Sequence, residues 1–201
     1  MTTMTAYDRL KKMFVDNGVL SLGDDVCAGF PRAYFSRLVR EGFVYRVGAG
    51  VYSCAKHDGT ELVDYSEACK AIPHGVVCLF SALKIHGVTL ENPHRIHMAI
   101  PRGAWRPRVA LPVEFHVFSN LSHTLGIQTL STPEGQVRVY SVEKTIADCF
   151  KFRNEVGIDV AVAALKDAKE KRLIDADALW AALKVCRVSR VIRPYMEGVY
   201  A

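Results

Sequence analysis

Along residues 29–54 the apolar positions change period, from helical spacing to strand alternation, and the change predicts one helix followed by a two-stranded hairpin. Phe35, Leu38 and Val39 fall on one helical face, while Arg32, Ala33, Ser36, Arg37 and Arg40 fall on the other. Pro31 suits the first helical position, because it lacks an N–H that would have no partner there. Gly42 suits the residue just past the helix end, where left-handed backbone is wanted. Residues 44–47 and 51–53 are then β-rich runs joined by Gly48-Ala49-Gly50. Upstream, Tyr7, Leu10, Met13 and Phe14 mark a first helix over 5–16, which Asn17-Gly18 ends. Val19-Leu20 is a short strand expected to pair with the hairpin. Ser21 then caps a short helix over 22–27, with Asp24 and Asp25 at its positive end, and Ala28-Gly29 makes a turn.

Helix, short strand, helix, turn, helix and hairpin, in that order, describe a winged helix-turn-helix, whose second helix enters the major groove of DNA. The outward face of the helix supports this reading. Glu41 is its only acidic neighbour, and small Ala33 and Ser36 leave room for close approach. Arg32, Ala33, Ser36, Arg37 and Arg40 are the candidate groove residues, and Arg46 on the wing is the candidate phosphate contact. The competing reading is a solvated polar face on a helix–hairpin unit of the kind found in α+β proteins that never touch DNA.

Residues 55–60 are polar and without periodicity, so the domain boundary is expected there, with a DNA-binding domain over 1–56 and a second domain over 62–201. In the second domain Asp64 and Glu67 spell a capping-box pattern opening a helix to residue 72, and Pro73-His74-Gly75 stops it. A helix over 79–86 is followed by strands over 95–101 and 113–118 and a hairpin over 127–140 around Pro133-Glu134-Gly135. From residue 142 the pattern is helical: 142–153, 159–171, 176–186 and 189–197, the last disturbed by Pro194. The fold class expected is α+β: a winged helix-turn-helix, then a mixed α/β domain with a small sheet and a helical C-terminal half.

Composition narrows the chemistry. Of 201 residues, 50% are hydrophobic and 23% charged, with a net charge of +5, which suits a globular protein that tolerates nucleic acid. No apolar run is long enough to span a bilayer and no signal-peptide pattern precedes Tyr7, so no membrane partner and a cytoplasmic, monomeric protein are expected. The six cysteines contain no C-x-x-C pair and read as small buried hydrophobes. Cys69, His74, Cys78 and His86 lie close in sequence but match no common zinc spacing, so neither metal nor cofactor is expected. His94 and His97 straddle a turn into a strand and are expected to decorate or fill it. Asp175-Ala176-Asp177 would bind metal in a nucleotidyltransferase, yet reads better as a helix N-cap. Ser81 has no G-x-S-x-G surroundings, and there is no phosphate-binding glycine loop. No catalytic residue is therefore assigned. Two basic runs remain, each either a solvated face or a contact surface. Residues 84–108 hold five basic residues against one acidic, and include the loop Arg102-Gly103-Ala104-Trp105-Arg106-Pro107-Arg108. Arg187, Arg190 and Arg193 recur every three residues, which places them roughly along one side of a helix and makes them candidate additional DNA contacts.

Four stretches, FSRLVREGFVYRVGAGVYS, FSALKIHGV, YSVEKTIADCF and RVIRPYMEG, resemble the AbiEi family of antitoxins, in the family's order and across nearly the whole chain. The resemblance implies an N-terminal winged-helix domain that represses its own operon by binding repeats in double-stranded promoter DNA. It also implies a C-terminal antitoxin domain that counters a cognate nucleotidyltransferase-like toxin of a type IV system. The alternative is a winged-helix regulator whose second domain senses a ligand or protein. Two positions depart from the family pattern. The wing tip has Ala49 where such sequences often carry arginine, and Gly29-Phe30-Pro31 stands where a Ser or Thr cap is usual.

Overall fold

A computed structural model describes residues 4–55, 59–89 and 93–200. The chain is α+β and divides into two compact units. The first comprises residues 1–73, 105–112 and 130–137, and the second comprises 74–104, 113–129 and 138–201.

In the first unit, α1 (Ala6–Asn17) starts at a capping box in which Thr5 and Asp8 bond each other's backbone N–H groups. Gly18, at φ 68°, ends it. Strand β1 (Val19–Ser21) pairs antiparallel with β3 (Val51–Cys54), and β3 pairs antiparallel with β2 (Val44–Gly48), giving the order β1-β3-β2. The short helix expected over 22–27 is only a 3₁₀ turn, Asp25–Cys27. The Asp24 carboxylate accepts the Ser21 N–H at 2.8 Å and the Ser21 hydroxyl accepts the Gly23 N–H at 3.2 Å, so both side chains hold a turn instead of a helix start. Helix α2 (Arg32–Arg40) follows, with Pro31 as its N-cap at ψ 136° and not its first helical residue. Its end follows the expected pattern. Gly42 at φ 66° lets the Gly42 and Phe43 N–H groups reach the Val39 and Leu38 carbonyls, each at 3.0 Å. Phe35 and Leu38 are wholly buried with Leu10, Phe14, Leu20 and Val44, each side chain contributing about 1.5–3 kcal/mol.

Helix α3 (Val63–Ala71) also belongs to the first unit, although the polar stretch over 55–60 suggested a boundary before it; residues 56–58 lie outside the described set. The expected Asp64/Glu67 capping box is absent. Leu62 is the N-cap, and the Glu67 side chain is buried, accepting the Tyr45 hydroxyl at 2.5 Å. Burial raises the Glu67 carboxyl above its ordinary pKa. Gly48 is where α3 and the hairpin meet, since a Cβ there would stand 3.1 Å from that of Ala71. Lys70 pairs with Asp24 at 2.8 Å. The tip of a later hairpin joins this unit too, with Glu134 accepting both the N–H and the hydroxyl of Thr60.

A second sheet is formed by β4 (Val76–Val77), β5 (Ile96–Pro101), β6 (Val113–Phe118), β7 (Ile127–Thr132) and β8 (Gly135–Tyr140), in the order β6-β5-β4-β8-β7, and belongs to the second unit except for residues 130–137 of the β7–β8 hairpin. The sheet is mixed. β4 runs antiparallel to β5 and parallel to β8, while β5 and β6 are parallel with His97 opposite Glu114. Around it lie α4 (Leu79–Ile85), α5 (Asn120–Thr124), α6 (Val142–Lys151), α7 (Arg153–Val156), α8 (Ile158–Glu170), α9 (Ala176–Cys186) and α10 (Ser189–Tyr200). Their core is Leu79, Leu83, Phe118, Tyr140, Ile146, Phe150, Leu165 and Leu183, all inaccessible to solvent. Helix α6 is buried from Val142 to Phe150 and carries an internal ion pair, Lys144 Nζ to Asp148 Oδ2 at 2.5 Å. Asp175 caps α9 by accepting the Ala178 N–H, as its D-x-D spelling suggested on the non-catalytic reading. Pro194 sits inside α10 without ending it. Among the described residues, no helix is long and apolar enough to cross a membrane.

Candidate nucleic-acid interface

The outward face of α2 is exposed at Arg32, Ala33, Ser36, Arg37 and Arg40, because Phe35 and Leu38 are drawn inward against Phe14 and Tyr52. The five candidates do not have equal freedom. Arg37 Nε donates to Glu41 Oε1 at 2.8 Å, and its guanidinium lies 4.3 Å from the centre of the Tyr7 ring on α1. Lys11 Nζ takes the other Glu41 oxygen at 2.8 Å. The Lys11 ammonium above all, with Arg37 assisting, holds the Glu41 carboxyl down to about 2. Ser36 Oγ turns back toward the Arg32 carbonyl at 3.4 Å. Arg32 and Arg40 are exposed and enter no ion pair among the described residues.

The hairpin tip carries a second group of cations. Arg46 Nε donates to the Gly48 carbonyl at 3.0 Å, across the bulge between Arg46 and Gly48. The loop over 105–112, distant in sequence, belongs to the same unit. Its Ala110 N–H donates to the Val47 carbonyl at 2.8 Å, and Leu111 packs on Val19, Val47 and Val51. Arg46, Ala49, Trp105, Arg106 and Arg108 therefore line one open cleft of about 450 Å³. Trp105 is 69% exposed, and Arg106 and Arg108 are exposed beside it. Three guanidinium groups and an indole face offer phosphate contacts together with a stacking or cation–π surface. The sequence marked this loop as basic with an exposed-looking tryptophan. Its seat against the hairpin was not legible, because it depends on β2 accepting a hydrogen bond from 63 residues downstream.

The C-terminal candidates fall differently. Arg187 is outside the last helix: it caps α9 in left-handed backbone at φ 60°, and the Val188 N–H closes onto the Leu183 carbonyl. Only Arg190 and Arg193 lie on α10, and Arg193 pairs with Glu197 at 3.1 Å. The expected single stripe of three arginines on one helix is therefore not formed.

No protein-family model matches the chain, and no curated protein matches it. Ser81 accepts the His97 N–H, whereas His86 Nε2 lies 2.6 Å from the Tyr140 carbonyl, so the two form no nucleophile–base pair. All six cysteines are buried and none forms a disulfide, and burial raises the Cys78, Cys149 and Cys186 thiols. Cys69, His74, Cys78 and His86, close in sequence, are not grouped within ligand distance of one another among the described residues.

Proposed function

We propose that the chain is an antitoxin that also binds the DNA of its own operon, with α1 to β3 acting as a winged helix-turn-helix. The observation that carries the DNA-binding half is the arginine- and tryptophan-lined cleft at the hairpin tip, on the same unit as the exposed arginine face of α2. In this reading Arg32 and Arg40 meet the groove, while Arg46, Arg106 and Arg108 meet phosphate. Arg106 and Arg108 stand where the wing tip itself offers only Ala49. Countering a nucleotidyltransferase-like toxin is then the task of the second unit, supported by the motifs over 80–88, 140–150 and 190–198 that resemble AbiEi antitoxins.

Two measurements test the halves separately. Binding of the full chain to DNA from upstream of its own gene, across a salt series, should give a slope that falls by about 2 when Arg106 and Arg108 both become Ala, since each lost phosphate contact removes about 0.9. An unchanged slope would remove the cleft from the interface. Co-expression with the neighbouring gene product should rescue growth. DNA binding without rescue would favour a regulator whose second unit senses a ligand or protein.

A further inference from the structure

The parallel pairing of β5 and β6 brings together three side chains from two strands. His97 Nδ1 lies 3.0 Å from His116 Nε2, the two rings are stacked within 15° of parallel, and Glu114 Oε1 lies 3.8 Å from His116 Nε2. One donor atom from each residue falls within 4.8 Å of the others. Two imidazoles and one carboxylate make a donor set for borderline divalent cations. We propose that His97, His116 and Glu114 bind a single divalent metal ion of the zinc class, with solvent completing its coordination.

The geometry needs little adjustment. Two nitrogen ligands at Zn–N distances of about 2.0–2.1 Å and a tetrahedral angle stand about 3.3 Å apart. The imidazoles must therefore separate by a few tenths of an ångström, and Glu114, 44% exposed, must swing in by about half an ångström toward His116 and by up to about 1.5 Å toward His97, the three donors now lying within 4.8 Å of one another. The surroundings suit a ligand pair. His116 Nδ1 lies 3.7 Å from Glu155 Oε2 on α7, beyond hydrogen-bond distance, and a closing of about half an ångström would let that carboxylate hold the non-ligating nitrogen of a metal-bound histidine. The His97 backbone is held from both sides, its N–H by Ser81 Oγ at 3.0 Å and its carbonyl by the Cys78 N–H at 3.0 Å. Phe80 and Phe152 rings flank the two imidazoles at 5.4 and 5.7 Å. Burial lowers both rings below the ordinary histidine pKa. Arg95 is the cation that acts on His97, and Glu114 opposes it. In the absence of metal, the same contact is a His–His hydrogen bond, which is the competing account.

The test uses untagged, chelator-stripped full-length protein, titrated with Zn²⁺ by calorimetry and with Co²⁺ by absorption. One equivalent should bind in the micromolar range or tighter, and the cobalt spectrum should show d–d bands without thiolate charge transfer. His97→Gln and Glu114→Gln should abolish saturable binding while keeping the wild-type circular dichroism and thermal midpoint in chelator. Glu155→Gln should weaken binding by about 10- to 100-fold. No uptake by the wild type, thiolate bands in the cobalt spectrum, or unchanged affinity in His97→Gln and Glu114→Gln would each overturn the site.

Discussion

Replacing Lys144 by methionine removes one half of an ion pair whose two side chains are 1% and 0% exposed. The Asp148 carboxylate would be left with the Cys186 thiol, 3.3 Å away, as its remaining donor. An uncompensated buried charge costs about 3–5 kcal/mol. Proton uptake sets a ceiling of similar size: at pH 7 Asp148 would protonate three units above its ordinary 3.8 at about 1.4 kcal/mol each, or about 4 kcal/mol. Lys144→Met should thus destabilise the second unit by about 3–4 kcal/mol at pH 7. The sign of the pH dependence follows. In the variant, desolvation raises the folded-state pKa of Asp148, so the folded form binds the extra proton and the penalty shrinks by about 1.4 kcal/mol for each unit of fall toward pH 5. Asp148→Asn is the milder change, because Lys144 keeps the Phe118 and Tyr140 rings at 4.7 and 4.3 Å, contacts worth about 2 kcal/mol when desolvated. Lys144→Met with Asp148→Leu should return to within about 1 kcal/mol of wild type. The assay is guanidinium unfolding followed by Trp180 fluorescence in a Trp105→Phe background, since Trp180 lies on α9 of the second unit. A Lys144→Met cost below about 1 kcal/mol, or one that does not change with pH, would refute the buried-pair argument.

Three further outcomes are expected. Glu41 is held down to about 2, so its contribution is full above the ordinary 4.5 and lost as pH falls toward 2; Glu41→Gln should flatten the acid-unfolding curve of the first unit across that window, read by circular dichroism, and superimposable curves would contradict it. Arg37→Ala should change the salt slope for DNA less than Arg40→Ala, which should remove about 0.9, because Arg37 is already committed to Glu41 and Tyr7; equal effects would return Arg37 to the interface. A fragment of residues 1–60 should aggregate or unfold, because it loses Ala71 and Leu111 from over Val19, Val47 and Val51, about 1–2 kcal/mol per uncovered valine; a monomeric, cooperatively folding fragment would show that this cover is dispensable.

Local pattern carried most of the element list. The 3.6-residue spacing of Phe35 and Leu38, the left-handed requirement at Gly42 and the alternation over 44–53 each depend on neighbours within a few residues, and each is found. The same holds for the helices from Val142 onward and for Asp175 as a cap. The failures share a different cause. Asp64 and Glu67 have capping-box spacing, but Glu67 is drawn into the interior by Tyr45. Arg187 keeps the three-residue rhythm of the arginines, but the chain turns left-handed beneath it. The two most informative groupings were beyond reach for a further reason. Glu114 and His116 share a strand face by their spacing alone, yet His97 joins them only because β5 and β6 run parallel in one register. Arg106 and Arg108 reach the hairpin tip only because Ala110 bonds Val47. Strand partners and loop docking are long-range choices set by which apolar faces bury each other, and no local periodicity encodes them.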